Sequence, residues 1–205
     1  YNIAIGDLSL KSNTTASNNT AVGYQAGYSN TTGYSSTAIG YQSLYSNTTG
    51  YENTAVGVSS LYTNSTGIDN AAFGNSALAF NTTGSYNTAQ GFRALFNNTT
   101  ANNNTAVGYQ ASYSNTTGTS NTVIGQQAGY TNSTGVENTF VGRVAGYYVT
   151  GSYNTGIGFA SLGVNSSGAS GQYNTAIGHS ALNYNTTASN NTAVGYQAGS
   201  VSYTH

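Results

Sequence analysis

The sequence predicts an all-β fold, a β-solenoid of about twelve 17-residue coils, from one repeated motif and its spacing. The motif Asn-Thr-Ala-(Val/Ile)-Gly recurs along the whole chain. Its glycine stands at Gly6, Gly23, Gly40, Gly57, Gly74, Gly91, Gly108, Gly125, Gly142, Gly158, Gly178 and Gly195. The first eight intervals are 17 residues, and the last three are 16, 20 and 17. Because a fixed period indicates a repeat architecture, residues 1–205 are predicted to form a single solenoid without separate caps.

Each unit is numbered here from its motif Asn as position 1. The β-branched residues at position 4, such as Val22 and Ile39, favour strands. Two short strands are predicted in each coil, at positions 1–5 and 7–11, with neighbouring coils stacked in parallel. Both irregular intervals arise between positions 12 and 17. Since insertions are tolerated in surface turns, positions 12–17 are predicted to form an exposed turn.

Side chains alternate along a strand, so positions 2 and 4 share one face, and this face is assigned to the interior. The column predicted to be buried then includes Val22, Val56, Val107 and Val194. Gln90 belongs to the same column, so its amide is expected to find a hydrogen-bond partner. The Ala at position 3 is expected to face outward, where it would let another chain approach closely. The alternative is that Ala fits a crowded inner wall and the two faces are reversed.

Three further columns are restricted in residue type. Position 5 is Gly in all twelve units, which indicates a bend or a close approach of two backbones. Position 8 is always Ala or Ser, which indicates little space, and position 10 is mostly Tyr or Phe. Stacking at the ~4.8 Å strand spacing is expected to produce an Asn ladder at position 1 and an aromatic ladder at position 10. A disordered prion-like chain is the alternative, but disorder gives no reason for apolar residues at fixed positions.

Composition excludes several classes of function. Charged residues make up 3% of the chain and the net charge is −1, so no basic surface for nucleic acid is expected. Cysteine is absent, which rules out disulfides and thiolate metal sites. No apolar run approaches the ~20 residues that span a bilayer, so no membrane insertion is expected. The scarcity of Lys and Arg leaves few trypsin-type cleavage sites and fits an extracellular location.

The residues needed for catalysis are scarce. The chain has only two histidines, the residue type suited to acid–base chemistry near neutral pH, and of these His179 is expected to be an exposed turn residue at position 6, while His205 is the last residue. The four acidic residues lie in different units, and the repeated Asp in a Gly-rich nonapeptide that a calcium-binding β-roll requires is absent. No Lys follows the glycine-rich strings, so they do not form a phosphate loop. We therefore expect no enzyme activity, no cofactor and no metal.

Asn-X-Ser/Thr sequons are dense, and in an extracellular protein they are candidate glycosylation sites. At position 12 they are Asn13, Asn30, Asn47, Asn64, Asn81, Asn98, Asn115, Asn132, Asn165 and Asn185. Four more lie elsewhere in the unit, at Asn18, Asn97, Asn103 and Asn190. The preferred alternative is that Asn-Thr-Thr-Gly is turn chemistry, in which side chains bond to the local backbone.

The stretch Asn19-Thr20-Ala21-Val22-Gly23 and its copies resemble the Ser-Val-Ala-Ile-Gly-type repeat of the YadA-like head of trimeric autotransporter adhesins. That resemblance implies a β-roll, three chains side by side and binding to host or matrix surfaces. The longer string Asn-Thr-Ala-Val-Gly-Tyr-Gln-Ala, at 104–111 and 191–198, is similar to repeat regions of phage tail fibres and secreted fibre proteins. The 17-residue unit is longer than the usual coil of the adhesin head.

These observations lead to three functional expectations. The first is a structural segment of an extracellular fibre, such as a surface filament, adhesin or tail fibre, that self-associates end to end or laterally, for example as a trimer. The second is an adhesive module whose outward Tyr columns bind glycans or a cell surface. The third is an ice-binding solenoid, which requires a flat outward Thr array. The inward assignment of the position-2 Thr argues against this third expectation.

Overall fold

The computed structural model describes residues 1–163 and 168–200. Within these ranges the chain is an all-β solenoid of twelve three-residue strands, which form one sheet in chain order. The strands are β1 (Ile3–Ile5), β2 (Thr20–Val22), β3 (Thr37–Ile39), β4 (Thr54–Val56), β5 (Ala71–Phe73), β6 (Thr88–Gln90), β7 (Thr105–Val107), β8 (Thr122–Ile124), β9 (Thr139–Val141), β10 (Thr155–Ile157), β11 (Thr175–Ile177) and β12 (Thr192–Val194). The predicted fold class is confirmed.

All neighbouring strands are parallel and in register, so that positions 2, 3 and 4 each form a continuous column. Thr20 of β2 pairs with Thr37 of β3, one unit further along. Thr155 and Thr175 pair in the same way across the 20-residue interval, because the extra residues lie outside the strands. The predicted parallel stacking of about twelve coils is confirmed, and no helix occurs in the ranges described.

Each coil contains one described strand, at positions 2–4, whereas two were predicted. Positions 6–11 form two successive turns, which Ala26 N–H closes onto Gly23 O and Asn30 N–H closes onto Gly27 O. The backbone is left-handed at position 7 (Gln25, φ 55°) and again at position 9 (Leu44, φ 52°). A strand requires extended backbone, so the left-handed residues at positions 7 and 9 show that the prediction of a second strand is wrong. Backbone hydrogen bonds nevertheless join neighbouring coils in this segment.

The interior is lined by position 3, so the predicted assignment of the two strand faces is wrong and the alternative holds. Ala21 and Ala55 are 0% exposed. Val22, Val56 and Val107 are only half-buried, while Val194 is exposed. Gln90, expected to be buried and to need a hydrogen-bond partner, is exposed on the outer face. The outward contact surface expected from the Ala column therefore does not exist.

A narrow interior explains why position 3 is Ala. Position 3 faces position 9 across the coil, and a Cβ added at Gly27 would lie 3.8 Å from the Ala21 Cβ. Where position 9 is Leu, as in Leu61 and Leu78, the Leu side chain fills this space and is fully buried. Ala or Ser at position 8 completes the wall, as the sequence predicted. Because the interior is packed at close to crystal density, positions 3, 8 and 9 cannot all carry large side chains in the same coil.

Phe140 shows that positions 3 and 9, which face each other across the coil, can compensate for each other in size. It replaces Ala at position 3 and is fully buried. A Cβ added at Gly146, at position 9 of the same coil, would lie 2.6 Å from the Phe140 ring. Gly129, in the preceding coil, leaves similar space, with its added Cβ 3.1 Å from the ring. In coils 8 and 9, Gly at position 9 therefore makes room for the larger residue at position 3, although Gly27 lies in a coil with Ala21 at position 3.

The Gly at position 5 is required by the neighbouring coil. At Gly57 the backbone has φ +134°, a region that side chains rarely adopt. A Cβ there would lie 2.5 Å from the carbonyl oxygen of Gly74 in the next coil. The expected close approach of two backbones is confirmed, and it places position 6 at the start of the turns.

Candidate functional site

Position 1 forms the Asn ladder that the sequence predicts. Asn70 accepts the backbone N–H of Asn87 and also its side-chain Nδ2 on one Oδ1 atom, at 3.0 and 3.1 Å. Asn53 and Asn70 are linked in the same way. All three asparagines are almost fully buried. Buried amides that are all paired stabilise a single arrangement, because an unpaired one would cost ~1–3 kcal/mol.

Position 12 forms a second Asn ladder, which the sequence reading placed on the exposed turn. Asn47 Nδ2 donates to Asn30 Oδ1 at 2.9 Å, and Asn81 Nδ2 donates to Asn64 Oδ1 at 2.7 Å. Seven residues of this column are buried: Asn30, Asn47, Asn64, Asn81, Asn98, Asn115 and Asn132. The expectation that Asn30, Asn47 and Asn115 are exposed is therefore wrong. These side chains turn inward because their amides hydrogen bond to the chain on both sides.

The two ladders are joined inside each coil. Asn53, at position 1, and Asn64, at position 12, both donate Nδ2 to the carbonyl oxygen of Gly67, at 2.8 and 3.0 Å. The same arrangement links the next coil at Gly84. A single carbonyl oxygen thus closes the segment at positions 12–17, which the sequence predicts to be an exposed turn.

Coil 9 carries Val149 instead of Asn at position 12, and the last side-chain link of the ladder lies two coils earlier, where Asn115 Nδ2 donates to Asn98 Oδ1 at 2.8 Å. In coil 8 both amide atoms of Asn132 bond to Gly135, since Oδ1 accepts its backbone N–H at 2.9 Å and Nδ2 donates to its carbonyl oxygen at 3.4 Å, and neither bonds to Asn115. Asn115 Oδ1 is buried and has no hydrogen-bond partner among the residues described. The one-residue deletion therefore breaks the ladder at a defined point.

Most position-12 sequons are poor acceptors for a glycan, because the atom that would receive the glycan, Nδ2, is buried and already donates hydrogen bonds. Asn13 and Asn185, near the ends of the described chain, are half-buried and bond to Ala16 and Ala188. Asn165 lies outside the described residues. The turn-chemistry alternative fits this geometry. Among the other sequons, Asn18, Asn103 and Asn190 are exposed and Asn97 is half-buried.

The outer strand face, defined as the residues at positions 2 and 4 of all coils, is a large uncharged surface. Position 4 supplies apolar side chains such as Ile39, Ile124 and Ile177, which are 39%, 39% and 37% exposed. Position 2 supplies a parallel column that is mostly Thr. Coil 5 departs from this pattern with Ala71 and the larger Phe73, and coil 6 departs with Gln90. No residue at these positions is charged.

Aromatic rings stack between coils at two positions of the turns, 10 and 6. At position 10 the rings stack in the predicted ladder, for example Tyr28 on Tyr45 at 5.0 Å between ring centroids and 11° between planes. At position 6 Tyr24 stacks on Tyr41 at 5.4 Å. Offset stacking at such distances is favourable. In a continuous stack each ring covers the face of its neighbour, so what reaches solvent is mainly the ring edges.

The three cationic side chains lie over aromatic rings. Lys11 lies over Tyr28, with Nζ 5.2 Å from the ring centroid and 3.1 Å from the hydroxyl oxygen. That hydrogen bond is the main reason that the pKa of Lys11 lies above its usual value. Arg93 lies between Phe92 and Phe96, at 5.0 and 5.1 Å. Its Nε atom is buried without a hydrogen-bond partner in the described chain. These contacts are cation–π interactions.

The structure does not gather the titratable residues into one place. His179 is exposed in the turn at position 6, as predicted, between Phe159 and Tyr196. His205 lies outside the described residues. Within residues 1–163 and 168–200, no three His, Cys, Asp or Glu side chains are grouped in a way that would hold a metal ion. In the same ranges there is no helix with the length and hydropathy of a membrane span.

Comparison with known proteins adds no relative to this description. Neither the protein-family models, nor the curated proteins, nor the solved structures contain a match for the chain.

Proposed function

We propose that the chain is a structural segment of an extracellular fibre in which copies associate laterally through the outer strand face. The observation that carries this proposal is the column at position 4, which is apolar except at Gln90 and is half-buried or exposed along its length, next to a column that is mostly Thr. Single exposed apolar residues are common, but a contiguous apolar patch marks an interaction site. The face runs the length of the solenoid, so the partner is an equally long surface, which a second copy provides.

The body of the protein suits a mechanical role. Strand hydrogen bonds join every coil to the next, and two Asn ladders and stacked aromatic rings add links between many of them. In a solenoid each coil contacts only its neighbours, and stability adds along the stack. Charged groups contribute little, since only 3% of residues are charged. The rod is therefore expected to keep its structure over a wide range of salt concentrations.

Sedimentation of purified protein tests the proposal. The face variant carries Ile39→Lys, Ile124→Lys and Ile177→Lys, which place charges on half-exposed positions and leave the interior intact. The matched control carries Thr49→Lys, Thr117→Lys and Thr134→Lys, three exposed turn residues at position 14. The native chain and the control should sediment as oligomers, and the face variant as a folded monomer. A native chain that stays a folded 21.0 kDa monomer at tens of micromolar would overturn the proposal.

A second candidate, ice binding, is favoured by one specific observation. The Thr side chains at position 2 were predicted to face the interior, but in the structure this column lies on the outer strand face. Coils 7 to 12 keep Thr at position 2 and Val or Ile at position 4, a regular array of hydroxyl and methyl groups. Thermal hysteresis of the native chain, lost in the face variant, would support this candidate. Its absence in the native chain would eliminate it.

A further inference from the structure

The aromatic ladder at position 10 lacks one ring in the middle of the solenoid. Tyr45 stacks on Tyr62 at 5.1 Å, and Phe96 stacks on Tyr113 at 5.2 Å. Between Tyr62 and Phe96, coil 5 has Ala79 at position 10. Two coil steps separate the flanking rings, which is ~9–10 Å at ordinary strand spacing. Because this ring is missing, the face of the Tyr62 ring that points toward coil 5 lacks the stacked neighbour that other rings of the ladder have.

The adjacent columns change in the same coils. At position 7 Gln42 donates Nε2 to Gln25 Oε1 at 2.8 Å, but the next two coils have the short Ser59 and Ser76. At position 11 Phe80 replaces the Ser or Thr of the preceding coils. Three columns thus depart from the repeat within two coils, and the departures meet at one place on the surface.

The result is an open cavity of about 240 Å³. Its aromatic lining is Tyr62, Phe80 and Phe96, and its polar lining includes Ser59 and Ser76. Phe80 lies edge-on against Phe96, at 4.8 Å and 80°, so it forms a wall and does not replace the missing ring of the ladder. The cavity is small beside the ~300–1,000 Å³ pockets of drug-sized ligands. It therefore suits one six-membered ring with its substituents.

We propose that this cavity binds a single pyranose ring of a glycan. A pyranose has C–H groups that pack on an aromatic face, and Tyr62 offers such a face. Its hydroxyl groups both donate and accept hydrogen bonds, which matches the hydroxyls of Ser59 and Ser76 and the amide of Gln42. Binding sites of this kind combine a mostly apolar lining with a few polar groups that fix orientation.

Arg93 supports the geometry of the site. It follows Ser76 in the position-7 column, and its guanidinium lies 5.1 Å from the Phe96 ring. Contact with Phe92 on the other side holds the guanidinium in place. The planar cation therefore helps to fix the orientation of Phe96, and it adds hydrogen-bond donors near the cavity.

The site is separate from the outer strand face, since its lining comes from positions 7, 10 and 11 and the face consists of positions 2 and 4. Elsewhere in the ladder, rings such as Tyr113 and Tyr130 cover each other at 5.1 Å. A sugar cannot insert between rings that are already in contact. Glycan binding is therefore expected at this one interruption and not along the whole aromatic column.

Saturation-transfer NMR with the full chain tests the proposal. The probes are the methyl glycosides of glucose, galactose, mannose and N-acetylglucosamine at millimolar concentration, with p-cresol as a mimic of a Tyr side chain. At least one glycoside should receive saturation from the native chain. Ala79→Tyr restores the residue type of the ladder and fills the cavity, so it should weaken binding at least tenfold. Thr49→Tyr, on an exposed turn, is the matched control and should bind as the native chain does.

A second variant tests the wall. Phe80→Ser restores the residue type found at position 11 of the earlier coils and removes one aromatic side, so the affinity for the glycoside should fall. The proposal is overturned if no glycoside receives saturation from the native chain, or if Ala79→Tyr binds as well as the native chain. Binding of p-cresol alone would also overturn it, since the site would then accept an aromatic side chain. None of these outcomes depends on the oligomeric state, so the proposed fibre role is tested independently.

Discussion

Asn64 lies directly beside Asn47 of the preceding coil, and its Nδ2 donates to Asn47 Oδ1 at 2.9 Å. Both side chains are fully buried. Since each Asn uses one donor along the solenoid axis and one on Gly67 or Gly50 within its own coil, the ladder joins stacking between coils to closure of each coil. Removing one member disturbs both functions at once.

The first prediction concerns this ladder. Asn64→Ala removes the two donated hydrogen bonds and also the Oδ1 acceptor of Asn81. Because buried partners are left unpaired, the cost should be ~3–5 kcal/mol of unfolding free energy. Thr66→Ala, two residues further on in the exposed turn, is the control and should change stability by less than ~0.5 kcal/mol. Equal effects in urea unfolding would show that the ladder carries no special stability.

The second prediction concerns the close approach of two backbones at position 5. Gly57→Ala places a methyl group 2.5 Å from Gly74 O and forces a residue with a side chain to adopt φ +134°. The chain should lose more than ~4 kcal/mol or fail to fold. Gly168→Ala is the comparison, since φ is +75° there and no atom of the described residues lies within 4 Å of an added Cβ. It should lose only ~1 kcal/mol, the usual cost of left-handed backbone.

The third prediction is a double-mutant cycle inside the core. Phe140→Ala restores the usual Ala at position 3 but leaves a cavity, and should cost ~3–5 kcal/mol. Gly146→Leu alone should also destabilise the chain, because the new side chain meets the Phe140 ring. The double variant has the Ala–Leu pair found in other coils and should recover most of the loss. Additive losses in thermal unfolding would contradict the size compensation between the two walls.

The sequence predicted the coils, their parallel register, the position-1 ladder and the aromatic ladder, because a period and restricted columns are visible without coordinates. Alternation alone showed that Val22 and Thr20 share a face, but not which side that face is on. The signal that settles the side was the Ala or Ser at position 8, which indicates a narrow interior that suits the mostly Ala column of position 3 better than the Val and Ile column of position 4. Asn64 was misplaced because its neighbours resemble a turn, although Asn at position 12 is nearly as constant as Asn at position 1. The cavity beside Tyr62 could not be predicted, since it depends on three columns that meet only in space.

The fourth prediction concerns alkaline pH. Burial is the main reason that the pKa of Tyr147 lies above its usual value of 10.0. The folded state therefore favours the neutral phenol, and its contribution to stability is complete below about pH 10. This contribution is lost as the pH rises through the raised pKa. The melting temperature, followed by circular dichroism, should fall above pH 10, and Tyr147→Phe should reduce the slope. An unchanged slope in that variant would show that Tyr147 does not contribute.

The last prediction concerns the alignment of neighbouring copies and assumes that they associate through the outer strand face. A face that repeats every 17 residues could slip by one coil at little cost, since Val and Ile would meet Val and Ile again. Phe73 and Gln90 break this degeneracy, because each is the only residue of its type in the position-4 column. A buried polar side chain can fix register at a cost in stability. When chains are in register, Gln90 meets its counterpart and the two amides pair. A slipped register leaves the amide against apolar side chains.

Gln90→Ile should therefore strengthen association and loosen its alignment. In a dilution series by sedimentation, the dissociation constant should fall by about tenfold, the amount expected when one buried polar group of ~1.4 kcal/mol is removed. Chemical cross-linking between a tagged and an untagged copy should then give neighbours one coil apart as well as neighbours in register. The control is Gln110→Ile, a change of the same type at position 7 in the turn, outside the outer strand face. Tighter association of the control, or a single alignment in Gln90→Ile, would show that Gln90 does not set the register.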